Sequence, residues 1–161
     1  MAWQARVLVI ANVTATSPEL VDALRSRAER GPIAATLLMP ATRNGYAGRE
    51  EAQGRLDEAL ERWREHDLTA AGVVGDPDPV VAVHETWDPR SYDEVIVSTL
   101  PTGTSKWLQV DLPHRVQQIT GLDVSHVVAA GDRARPRYGP PPEKREAGAL
   151  GPLTLRAPKT R

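Results

Sequence analysis

The run Arg6-Val7-Leu8-Val9-Ile10-Ala11-Asn12 constrains the fold most, because it is apolar at successive positions rather than at alternate ones. A strand with water on one face alternates. An unbroken apolar run belongs to a strand covered on both faces, the usual condition of a parallel sheet. Helix signals follow at once, with Ser17 as N-cap, Pro18 at the first helical position, and Leu20, Ala23, Leu24 and Arg27 at helical spacing up to Gly31. The two patterns then alternate. Residues 35–39 read as a second strand ending at Pro40, residues 41–48 as a loop, and residues 49–65 as a helix with Ala52, Leu56, Ala59, Leu60 and Trp63 on one face. Residues 68–74 read as a third strand, 75–79 as a turn, 80–87 as a third helix and 93–98 as a fourth strand. A helix over 112–120 stops at Gly121, and 124–129 is the fifth strand. Such alternation predicts an α/β fold, a doubly wound parallel sheet with helices on both faces.

The 161 residues suffice for one domain with a proper core. With no cysteine, disulfides, thiolate metal sites and cysteine nucleophiles are excluded. No apolar run approaches the roughly 20 residues of a membrane span, and the first residues lack a signal-peptide layout, so the expected location is cytoplasmic. Arginine outnumbers lysine 17 to 3, a bacterial, GC-rich type of composition. The formal charge of −1 conceals an asymmetry: residues 1–130 carry 12 basic and 18 acidic side chains, residues 131–161 carry 8 and 3. An acidic domain does not offer a nucleic-acid-binding face. The basic segment holds 6 of the 14 prolines, including Pro140-Pro141-Pro142, and reads as a Pro/Arg-rich disordered tail that contacts at most an acidic partner.

Residues 93–116 carry the chemistry, since a buried-type strand runs into a hydroxyl-rich loop and a helix start, the place where open α/β sheets take ligands. The element order over residues 5–130, the Gly75-Asp76-Pro77 turn and the Tyr92-Asp93-Glu94-Val95-Ile96-Val97 entry to the fourth strand together resemble the universal stress protein family. That resemblance implies the strand order 3-2-1-4-5 and a homodimer through the fifth strand, with Val124, His126 and Val128 as counterparts of the pairing surface. It also implies an adenine nucleotide site. ATP-binding members of the family have Gly-x-x-Gly after the fourth strand, then nine residues, then Gly-Ser or Gly-Thr, and an aspartate closing the first strand.

The chain departs from this pattern. Ser98 stands at the first glycine, the loop retains Gly103 alone, Val110-Asp111 falls where Gly-Ser is expected, and Asn12 replaces the aspartate. A carboxylate about 4 Å from a phosphate costs roughly 4 kcal/mol at an effective dielectric near 20, against about 0.3–1 kcal/mol of helix-dipole attraction. Asp111 therefore opposes phosphate unless a metal bridges them, and capping the helix at Leu112-Pro113 is its competing role. Ser98, Thr99, Thr102, Thr104 and Ser105 with Lys106 form a set able to hold an anion, or else the hydroxyls cap backbone groups of a tight turn. Asp76 and Asp78 read as helix caps, with ribose contact as the other reading.

His66, His84, His114 and His126 are scattered without metal-ligand spacing, and no catalytic motif is visible, so neither metal nor catalytic residues are expected. The favoured function is a non-enzymatic stress or regulatory protein with a degenerate nucleotide site. The alternatives are an ATP or AMP binder, with weak affinity, using Asn12, Met39, Asp76, Ser98, Thr99, Gly103, Thr104, Ser105 and Asp111, and an adenylyl-transferring enzyme of the same superfamily.

Overall fold

The computed structural model describes residues 3–130; the expectation of a disordered tail over 131–161 lies outside them. Five strands, β1 (Ala5–Ile10), β2 (Ile33–Pro40), β3 (Ala70–Gly75), β4 (Glu94–Thr99) and β5 (Val124–Val128), form one sheet in the order β3-β2-β1-β4-β5. All four pairings are parallel. The unbroken apolar run of β1 explains its central place. Val7 and Val9 face one core cluster and Leu8 and Ile10 another, all four fully buried.

Helices α1 (Pro18–Glu29) and α2 (Tyr46–Arg64) cover the first face through Leu20, Val21, Leu24, Ala52, Leu56, Ala59 and Trp63. Helices α3 (Pro79–Thr86) and α5 (Leu112–Thr120) cover the second through Ala82, Val83, Leu112 and Val116. Ser17 caps α1 by accepting from the Leu20 amide at 3.2 Å, and Asp78 caps α3 by accepting from the Val80 amide at 2.8 Å. Trp63 is fully buried, and its Nε1 donates to the Ala15 carbonyl at 2.8 Å, locking α2 to the loop after β1.

Element bounds shift by up to three residues from the sequence expectation, and three differences have a visible local cause. Helix α2 starts at Tyr46, one turn earlier than expected, because Gly45 (φ 88°) turns the chain. Gly48 inside that turn has no room for a Cβ, which would lie 2.1 Å from the Arg43 carbonyl oxygen. Strand β3 starts at Ala70, since the Leu68 amide still bonds to the Trp63 carbonyl across the left-handed Asp67 (φ 61°). A short helix α4 (Lys106–Gln109), capped by Ser105, occupies what reads as loop, and places Trp107 against the second core cluster.

At the amino edge of the sheet, two ion pairs tie β4 to its surroundings. Arg27 reaches Glu94 with three hydrogen bonds of 2.5–3.1 Å, and Arg6 meets Asp93 through both its side chain and its backbone amide. Hydrogen bonds from Arg27 hold the Glu94 carboxyl below its usual range, and those from Arg6 do the same for Asp93. No helix among the described residues is long and apolar enough to cross a membrane.

Candidate crevice at the carboxyl edge of the sheet

The strand order reverses direction between β1 and β4, and in an open α/β sheet the crevice beyond the carboxyl ends at that point is where ligands bind. Asn12 follows β1 on one side of it. The residues 100–111 follow β4 on the other.

Most of the hydroxyls at the end of β4 and in the segment after it are committed to the protein itself. Ser98 is fully buried, its Oγ donating to Thr14 Oγ1 at 2.8 Å, while Thr14 donates to the Ser98 carbonyl at 3.2 Å. This pair stitches the loop after β1 to the end of β4 and leaves the Ser98 side chain nothing to offer a ligand. Thr99 lies 2.7 Å from His126 Nε2, and partial desolvation on the edge strand lowers the imidazole pKa. Thr104 donates to the Pro101 carbonyl at 2.9 Å, and Ser105, buried, accepts from the Leu108 amide at 3.3 Å. Thr102, Gly103 and Lys106 are exposed, Gly103 at φ 95°. Thr104 and Ser105 thus cap backbone groups of the turn, whereas Ser98 and Thr99 bond to side chains of other elements.

Asp111 corrects an expectation. It occupies the position before α5 but is left-handed (φ 52°, ψ 48°), and its side chain makes no capping hydrogen bond. The cause is the one-turn helix α4 just ahead: the Asp111 amide bonds to the Leu108 carbonyl at 3.2 Å, which forces the chain to reverse at this residue before α5 begins. Its carboxylate is exposed, and Val110 beside it is 42% exposed.

Met39 is fully buried in the first core cluster, so only its backbone lies at the carboxyl edge. Asp76 Oδ1 accepts from the Asp78 amide at 2.8 Å, shaping the turn into α3. Gly75 owes its identity to packing, since a Cβ there would lie 2.7 Å from the Ala82 Cβ of α3.

Asn12 is held at both ends of its amide. Nδ2 donates to the Pro40 carbonyl at 3.0 Å, and Oδ1 accepts from Arg55 Nη1 at 2.6 Å. Arg55 reaches in from α2, and Glu51, one turn earlier on that helix, lies 3.5 Å from it. Sequence reasoning missed both Thr14 and Arg55. Thr14 carries the weak signal of a hydroxyl four residues past a strand; Arg55 carries none, as one arginine among many on a charged helix. Among the described residues no three histidine or acidic side chains gather as metal ligands do.

No family model matches the chain, and no curated protein matches it in sequence. Solved structures do resemble it in fold. The universal stress protein of Archaeoglobus fulgidus superposes with a TM-score of 0.57 at 14% identity, covering 78% of this chain and 98% of that one. The universal stress protein from Archaeoglobus fulgidus in complex with dAMP gives 0.52 at 13% identity, covering 79% and 99%. A universal stress protein in complex with cAMP gives 0.50 at 22% identity, covering 81% and 100%. The architecture is thus a doubly wound α/β sheet with its crevice at the β1/β4 switch. Its particular form is the universal stress protein fold.

Proposed function

We propose that the chain is a non-enzymatic stress or regulatory protein of the universal stress protein type, cytoplasmic and homodimeric through β5, whose crevice is a degenerate nucleotide site. The observation that carries the reading is the commitment of the Ser98, Thr99, Thr104 and Ser105 hydroxyls to bonds within the protein, together with an uncapped, exposed Asp111 where a phosphate cradle needs glycine and amide donors. At exposed Asp111 the repulsion of a phosphate charge about 4 Å away falls between about 1 and 4 kcal/mol, still at least equal to the helix-dipole attraction. Residues 131–161, with their net positive charge, would meet an acidic partner if any.

Calorimetry with magnesium and ATP tests the reading. Binding weaker than about 1 mM is expected, and micromolar affinity refutes it. A second reading, an AMP-type binder, is favoured by the dAMP and cAMP held by two proteins of this fold. A single phosphate makes far less demand on the loop after β4 than a triphosphate does. Asn12, Asp76, Gly103, the Met39 backbone and the backbone of 98–105 are the groups such a ligand would meet.

A further inference from the structure

We propose that Arg55 is the anion-contacting residue of this crevice, so that the ligand's phosphate sits over the carboxyl ends of β1 and β2 rather than in the loop after β4. The inference rests on the second reading above, an AMP-type binder, and places the phosphate of that ligand. Its basis is a charge imbalance. Glu51 lies 3.5 Å from Arg55 and 3.4 Å from Arg43, and it also accepts a hydrogen bond from the Thr42 hydroxyl at 2.9 Å, so one carboxylate is shared between two guanidiniums. Asn12 offers Arg55 a carbonyl oxygen and no charge. An aspartate at that position would have neutralised it.

Geometry makes the surplus charge usable. The Arg55 side chain is 32% exposed, enough to be reached from solvent. A guanidinium has five N–H donors, and this one places a single strong bond, to Asn12, leaving donors for the paired geometry in which arginine takes phosphate. Asn12 acts as a positioning residue, because its Nδ2 is anchored on Pro40 at 3.0 Å while its Oδ1 holds the guanidinium at the end of β1. Asp76 follows β3 at the same edge of the sheet, and its Oδ1 accepts from the Asp78 amide at 2.8 Å.

The test is calorimetry on the full chain with AMP, adenosine and inorganic phosphate. Saturable binding of AMP and phosphate is expected, with adenosine weaker by at least about tenfold, the least that one charge-assisted hydrogen bond of the pair contributes. Arg55→Ala should erase the difference between AMP and adenosine, and Asn12→Asp should weaken AMP while sparing adenosine. Arg64→Ala, at the far end of the same helix and paired with Glu61 at 2.7 Å, should leave the difference intact. No saturable binding of AMP or phosphate overturns the proposal, as does an AMP preference that survives Arg55→Ala or is lost equally in Arg64→Ala. Micromolar ATP binding abolished by Arg55→Ala would refute the degenerate crevice yet uphold the role of Arg55. Micromolar ATP binding that survives Arg55→Ala would refute both.

Discussion

The same chemical change, one added methyl group, should have opposite effects at Gly75 and Gly54. At Gly75 a Cβ would lie 2.7 Å from Ala82 Cβ and 2.9 Å from Leu38 Cδ1, both residues fully buried, so β3 and α3 must separate. Overpacking of this kind costs about 1–3 kcal/mol. The lost freedom of the unfolded chain returns about 0.4–1 kcal/mol, leaving a net loss near 1–2 kcal/mol. Gly54 lies on the exposed side of α2, where a Cβ meets nothing within 4 Å. Alanine there should add about 1 kcal/mol through helix propensity. For a chain of this size each kcal/mol moves Tm by roughly 2–4 °C, so the two variants should separate by about 4–12 °C around the parent. Thermal unfolding followed by circular dichroism reads both. A Gly75→Ala protein as stable as the parent would show that the glycine of this turn is not there for packing.

Acid stability depends on the amino-edge pairs. Glu94 and Asp93 have folded pKa values depressed from 4.5 and 3.8 by hydrogen bonds from Arg27 and Arg6, so their contribution is complete above those values and is lost as pH falls through the lower folded ones. Glu94→Gln should cost no more than about 1 kcal/mol at neutral pH, given its partial exposure, and should flatten the fall in Tm below pH 4.5; an unchanged acid limb would contradict the pairing. For the homodimer proposal, β5 is an edge strand with Ser125, His126 and Val128 exposed, whereas Val127 packs against the first core cluster. Light scattering should show a dimer that Val128→Lys dissociates without loss of fold, and a parent monomer at tens of micromolar would rule the interface out.

What the sequence made legible was whatever depends on local pattern, and what it hid depends on contacts between distant residues. Unbroken apolar runs predict the buried parallel strands, and Ser17, Asp78 and Gly121 mark helix ends within a few residues of themselves. The bond between Thr14 and Ser98 spans 84 residues, and that between Arg55 and Asn12 spans 43. No periodicity reports such pairs. Consequently the five hydroxyls of residues 98–105 were visible as a set, while the distant partners of Ser98 and Thr99 were not.

Asp111 shows the same limit at short range, because its conformation is decided by the one-turn helix before it rather than by its own capping preference. A side-chain cap at this position would make Asp111→Gly a loss of a few tenths of a kcal/mol. With no such bond present, the dominant quantity is the left-handed backbone at φ 52°, which costs an L-residue about 1–2 kcal/mol and glycine nothing. The greater freedom of glycine in the unfolded chain takes back about 0.5–1 kcal/mol. Asp111→Gly should therefore stabilise the fold, by up to about 1.5 kcal/mol or as much as roughly 6 °C in Tm. A decrease in Tm would restore the capping role and refute the account of this turn given by the α4–α5 geometry.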